Sequence, residues 1–419
     1  MVIRRPTCLL LGTLLLAASA CGRGPLPAPA QAQGRLSAPD QTASVDATVP
    51  SPAPSQLGRV RPPPPPCLGR DRASAKALVS QAALELDRGE HLRALSCADE
   101  ALRSSPRLVP ALHFRAAALA ELGQLDDARL AYAQALAIDP DDPETLLGAA
   151  ELYASRLEAG RSAQVLGRDY ALRGARAALR GHRPRRDLAA RLFLAAAMAE
   201  NDLGESQQAL AHAERALRLG ADKVDGEYER GVALYELCRF REARASLQHV
   251  LAAEPDDAWA LHYLALVAEA TGDAKHADDF DRRARELSPG DFPSPVDMDR
   301  QAFEQEVQLA VASLPERERS ALKSVPVEIA EIPALDDLTA VDPPLSPSIL
   351  GLFRGPSEGE QCLSEDGPSC RSIVFYRRNL ARFARSRREL KEQVRVTLLH
   401  ELGHLHGESE DDLRARGLE

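Results

Sequence analysis

The feature that most constrains this chain is a period. Between residues 73 and 290, prolines recur 34 residues apart, Pro106 with Pro140 and Pro255 with Pro289, each closing a helical run: EALRSSP, QALAIDP, HVLAAEP and ARELSP. At constant offsets upstream stand Gly89, Gly123 and Gly272, then Ala94, Ala128, Ala243 and Ala277, then Ala101, Ala135 and Ala284. Glycine permits a tight turn between two helices, and small residues let the helices approach closely. One such unit cannot bury its own apolar face, so successive units must stack.

The register resembles the tetratricopeptide repeat. Two units depart from it. PETLLGAAELYAS opens a repeat whose second helix is delayed by an insertion over roughly residues 156–187, and LFLAAAMAENDLGESQQALAHAERALRLG keeps Gly204, Ala209 and Ala216 but lacks the closing proline. The expectation is about six helix pairs, one irregular, over residues 73–290. No cluster of catalytic residue types falls within them. Their expected work is to bind an unidentified protein partner on a concave surface or to act as a rigid spacer. A net charge of −10 gives no global basic field, and no nucleic-acid partner is expected.

The first residues read as an export signal. Arg4 and Arg5 precede the apolar CLLLGTLLLAA, too short for an ordinary spanning helix, and AASAC places small residues before Cys21. This resembles the bacterial lipobox. It implies a signal peptide over residues 1–20, a lipid on Cys21, and, with Gly22 following, an exported protein anchored in the cell envelope at the outer membrane. A plain secretory signal cut near Ala20 is the alternative. Residues 21–72, with GPLPAPAQAQ, VPSPAPSQ and RPPPPP, hold too few apolar residues for a core and read as a semi-extended tether. Of the seven cysteines, Cys8 leaves with the signal. Cys362 and Cys370 share one polar loop and are expected to pair; Cys67 and Cys97 are a second candidate pair; Cys238 is expected as a small buried helix residue.

After Pro289 the period stops. Residues 291–419 read as a small α/β domain: an amphipathic helix with Phe303, Val307, Ala310 and Val311 on one side, strands at VPVEIAEI, ILGLFRG and RSIVFYRRNL, and a last helix from about Ser386 to Leu405. The run YRRNLARFARSRR reads as a solvated helix face and loop. The last helix contains HELGH. At about 100° per residue, His400, Glu401 and His404 fall in one sector and Val394, Leu398, Leu402 and Leu405 on the opposite side. Two histidines one turn apart can bind one zinc, with Glu401 beside them as general base and then acid. Gly407 can reverse the chain and bring ESEDD back. Glu410 is then the expected third ligand, with Asp411 as fallback. No methionine follows the helix, so a metzincin Met-turn is excluded.

HELGHLHGESEDDL is similar to the HExGHxxGxSDxxL pattern of small bacterial zincin-like metallopeptidases, over roughly residues 300–419. Two departures stand out: Glu410 where that family has Asp, and His406 at an aromatic or apolar position, here expected at the rim. The resemblance implies a compact zincin fold with one zinc. It also implies a substrate-binding edge strand at Ile373, Val374, Phe375 and Tyr376, with Tyr376, Arg377 and Arg378 as nearby oxyanion candidates. The whole chain therefore reads as mainly α, a tetratricopeptide-repeat solenoid followed by a small α/β zincin-like domain. The function expected is a lipid-anchored zinc metalloprotease whose repeats recruit protein or peptide substrate. The alternative is a non-enzymatic envelope scaffold with an inactive or structural zinc domain.

Overall fold

A computed structural model of the chain describes residue 67 and residues 74–157, 160–180, 182–362 and 370–418. The signal, Cys21 and the tether expected from the sequence lie outside the described residues, apart from Cys67. Among the described residues no helix is long and apolar enough to cross a membrane.

Six antiparallel helix pairs build the first half: α1 Ala75–Asp87 with α2 His91–Ser104, α3 Val109–Glu121 with α4 Leu125–Ile138, α5 Pro143–Ser155 with α6 Arg161–Ala178, α7 Arg186–Leu203 with α8 Ser206–Leu219, α9 Lys223–Glu236 with α10 Phe240–Ala253, and α11 Ala258–Ala270 with α12 Ala274–Leu287. The register alanines explain the stacking. Ala94, Ala101, Ala128, Ala135, Ala209, Ala216, Ala243 and Ala284 are all wholly buried between helices. Gly89, Gly123, Gly204 and Gly272 make the turns within pairs with φ of 73–78°, a left-handed conformation that glycine adopts without steric penalty.

Two sequence expectations fail within the array. The segment expected as an insertion contains α6, an 18-residue helix that pairs with α5. Its glycines mark the close approach: a Cβ at Gly174 would stand 2.7 Å from Leu192 Cδ2. Cys238 is not a helix residue. It occupies the turn between α9 and α10 at φ 57°, the position that glycine fills in other pairs.

The Cys67–Cys97 disulfide ties the segment ahead of α1 to α2 across a sequence separation of 30, and it closes the free end of the stack. For a loop of that size, chain entropy predicts that replacing both cysteines with alanine lowers unfolding free energy by about 3–4 kcal/mol. The expected denaturant curve shows the first pair melting early; an unchanged midpoint would mean that the bridge is dispensable.

The second half begins with Phe292, which packs against Trp259 and stacks on His262 at 4.6 Å between ring centroids. Burial and the nearby Arg382 push the His262 imidazole down to about 3, so it serves as a neutral packing group. Then follow α13 Arg300–Ser313, α14 Glu316–Ala321, β1 Val327–Ala330, α15 Leu335–Leu338, β2 Gly351–Arg354, β3 Ser372–Tyr376, α16 Arg377–Phe383, α17 Arg387–Leu405 and α18 Glu410–Ala415. The sheet order is β1-β3-β2, with β1 parallel and β2 antiparallel to β3. On one face Ile373 and Phe375 meet Phe303 and Val307 of α13 and Val394, Leu398, Leu402 and Leu405 of α17. On the other, Val374 and Tyr376 meet Leu338 and Ile349.

That second face is where the two halves join. Cys238 packs against the Leu338 cluster and its thiol lies 3.7 Å from the Leu345 carbonyl. Tyr235 of α9 lies 3.4 Å from the Ser348 hydroxyl. Glu269 of α11, with its side chain 7% exposed, forms ion pairs with both Arg378 at 2.6 Å and Arg382 at 2.5 Å from α16. The arginine run expected to be solvated is therefore partly a clamp. The face lined by α9 and α11 is covered by the chain's own second half.

Candidate metal centre

The site is built by α17 and by the chain reversal that follows it. Ser386 caps the helix through its side chain on Glu389 N–H, and the leucine stripe anchors one side in the core. His400 and Glu401, each 2% exposed, lie on the opposite side. Gly407, at φ 82°, turns the chain, and Glu408 N–H donates to the Gly403 carbonyl at 2.9 Å. Ser409 and Asp412 then form a reciprocal capping box that starts α18. This sets Glu410 on the first turn of α18, facing back to α17.

Three ligand atoms converge. His400 Nε2 and His404 Nε2 are 3.1 Å apart. Glu410 Oε1 lies 3.2 Å from His404 Nε2 and 3.9 Å from His400 Nε2. The Nδ1 atoms are engaged elsewhere: His400 Nδ1 is 2.7 Å from the Leu418 carbonyl and His404 Nδ1 3.3 Å from the Glu408 carbonyl. A carbonyl can only accept, so each Nδ1 carries the proton and each Nε2 keeps its lone pair. Two lone pairs facing each other beside a carboxylate suit a cation between them. Tetrahedral zinc with bonds of about 2.0–2.1 Å separates its ligands by roughly 3.3 Å, close to two of these spacings, while the His400–Glu410 distance of 3.9 Å is wider. The residues present fit the metal.

Burial and the other two groups set the charge of each member. Burial tends to lower both histidines; it prevails at His400, while at His404 the contacts with Glu410 and Glu401 outweigh it and raise the imidazole. Glu410 is buried enough to be raised, yet the two histidines hold its carboxyl below the usual range. Burial pushes the Glu401 carboxyl up to about 7, opposed by His404 and by the Phe353 N–H of β2. A carboxyl so placed can exchange protons near neutrality.

The fallback ligand is corrected. Asp411 is 82% exposed and pairs with Arg414 at 2.6 Å, pointing away from the histidines. The expected edge strand is corrected too. β3 is the central strand, and all of Ile373, Val374, Phe375 and Tyr376 are buried. An unbroken apolar run marks a strand covered on both faces. The free edge beside Glu401 belongs to β2. The oxyanion candidates also fall away: Arg377 binds Glu331 and the Met298 carbonyl, Arg378 binds Glu269, and Tyr376 sits in the cluster on the far face. His406 is no ligand. It lies between Glu318 at 2.8 Å and Glu358 at 3.0 Å, which offset its burial and raise it. Cys362 and Cys370 are joined with Cα atoms 5.9 Å apart.

A helical-repeat solenoid joined to a small domain with an HExxH helix and an acidic third ligand is the class these features define. Residues 322–418 match the family model described as zincin-like metallopeptidase, and residues 109–152 match that of the tetratricopeptide repeat. The solved structures similar to this chain include pilF of Pseudomonas aeruginosa, at 18% identity over 55% of this chain and 97% of that one, with a TM-score of 0.44. They also include PilW, a widely conserved type IV pilus biogenesis factor, at 18% identity over 52% and 94% with a TM-score of 0.44. A thermophilic TPR protein of Thermus thermophilus, TTC0263, has 20% identity over 46% and 97% with a TM-score of 0.36. No curated protein matches the chain.

Proposed function

We propose that the chain is a zinc-dependent peptidase. The observation that carries this reading is the convergence of His400, His404 and Glu410 at one point, with Glu401 buried next to them against the free edge of β2. Zinc held there supplies Lewis acidity, polarising a peptide carbonyl and lowering the pKa of water. Glu401 takes a proton from that water and returns it to the leaving amine. The edge of β2 pairs with an extended substrate main chain, which gives affinity with little demand on sequence. Zinc held by His400, His404 and Glu410 would be reachable by water, since the His404 side chain is 28% exposed.

The repeats bear on substrate choice through the first four pairs, because the last two hold the peptidase half. Substrate bound there would be presented at raised local concentration. The lipobox-like AASAC, with Cys21 as the lipid-bearing residue, supports placement in the cell envelope at the outer membrane.

The test is Glu401→Gln in the full chain. We expect about one zinc per chain, as in the wild type, with hydrolysis of a quenched-fluorescent peptide library reduced by about 10²–10⁴-fold. Hydrolysis undiminished by Glu401→Gln would refute the mechanism.

A further inference from the structure

Gly351 is the first residue of β2, in the stretch ILGLFRG. Its φ lies outside the left-handed region, so its conformation does not require glycine. The space around it does. A Cβ built on Gly351 would stand 2.5 Å from Thr397 Cγ2 and 2.9 Å from Glu401 Oε1, both on α17. Strand side chains alternate between faces. Leu352 goes to the Leu338 cluster and Arg354 to Asp337 at 2.6 Å, while Phe353 goes to the α17 core. Gly351 shares the Phe353 face where α17 brings the Thr397 methyl and the Glu401 carboxylate against the sheet.

The strand's hydrogen-bond parity adds to this. Tyr376 N–H donates to the Leu350 carbonyl at 2.9 Å, so Leu350, Leu352 and Arg354 turn their backbone groups toward β3 and Gly351 and Phe353 turn theirs to the free edge. Phe353 N–H, which opposes the rise of the Glu401 carboxyl, turns to that edge. The carboxylate thus stands near a backbone donor and against a missing side chain.

We propose that Gly351 is the positioning residue for Glu401: its bare Cα gives the carboxylate its seat beside the metal ligands and against the substrate edge. This rests on the peptidase reading, in which Glu401 moves the proton. Any side chain at 351 pushes the carboxylate away or lifts β2 from α17. His400, His404 and Glu410 do not touch this position, so the metal stays.

Thr397 offers a competing steric cause, and Thr397→Ser removes its Cγ2. The experiment therefore runs in full-length Thr397→Ser, measuring the unfolding midpoint for Gly351→Ala with Glu401 present and with Glu401→Ala. If the carboxylate is what the glycine accommodates, Gly351→Ala lowers the midpoint with Glu401 present, and the drop shrinks by at least about half once the carboxylate is gone, the coupling a double-mutant cycle isolates. Equal drops in both backgrounds overturn the proposal. With the peptide library as probe, Gly351→Ala in the same background is expected to keep its zinc and its KM and to lose about a hundredfold in kcat, the scale of a misplacement near 1 Å. Unchanged kcat, or zinc lost with the activity, also overturns it. If the Thr397→Ser parent and the wild type cleave nothing, the peptidase reading fails, and the stability cycle still decides the seat.

Discussion

His404→Ala is expected to bind no zinc where the wild-type chain binds about one per molecule. The reason is the donor set. Two imidazoles with committed Nδ1 protons and one carboxylate would hold the ion between them, and removing an imidazole leaves an incomplete pair. The loss reads out as stability. A ligand at about a thousandfold its Kd stabilises the native state by about 4 kcal/mol, so added zinc should raise the wild-type midpoint and leave His404→Ala where it was. Glu410→Ala should weaken binding and Asp411→Ala should not, since only Glu410 faces the histidines. Zinc retained by His404→Ala at wild-type stoichiometry would move the metal elsewhere.

Glu269→Ala is expected to destabilise the full chain by about 3 kcal/mol, the lower end of what breaking a buried ion pair costs. Its side chain is 7% exposed and is the shared ion-pair partner of Arg378 and Arg382, whose side chains are 41% and 23% exposed. Arg378 can turn to water when Glu269 is gone, which limits the penalty; Arg382 has less room, and its Nη1 is already buried without a partner. Replacing all three with leucine removes the stranded charges and should cost much less than the single change, because a buried triad gains little over apolar packing. A chain in which Glu269→Ala leaves the urea midpoint unchanged would show that the two halves are not held together by this contact.

The same joint explains which parts of the fold were legible in the sequence. The repeat register was readable because alanine at 34-residue spacing has one economical interpretation, and HELGH was readable because helix geometry places its residues without knowledge of anything distant. Glu410 followed from Gly407 together with the metzincin spacing of a third ligand three residues beyond it, which left Asp411 as a fallback. β3 was misread because its role depends on what covers its second face, and that cover comes from Leu338, Ile349 and the turn at Cys238, over a hundred residues upstream of it in the last case. Cys238 itself was within reach: it lies 34 residues after Gly204 and 34 before Gly272, so the register carries it to the turn. A non-glycine residue held at positive φ signals a position fixed by its surroundings, and here the surroundings are the zincin-like half. The helix α6 was hidden because Gly167, Gly174 and its many arginines read as an irregular segment, although glycine there lets α6 lie close to its neighbours. Gly351 carried a usable signal as well, since a glycine inside a strand marks a close approach; what approaches is visible only once α17 is in place.

Covering of the α9 and α11 face by the second half also moves the line between what is exchangeable in this chain and what is committed. By composition the seam lies near residue 290, where the period stops. By contact the second half also reaches into the two pairs that follow Gly220, through Tyr235, Cys238 and Glu269. Pairs ahead of that glycine touch the zincin-like half little and could be multiplied, deleted or traded for others without disturbing it. The two pairs behind it would have to travel with that half, as part of its inheritance.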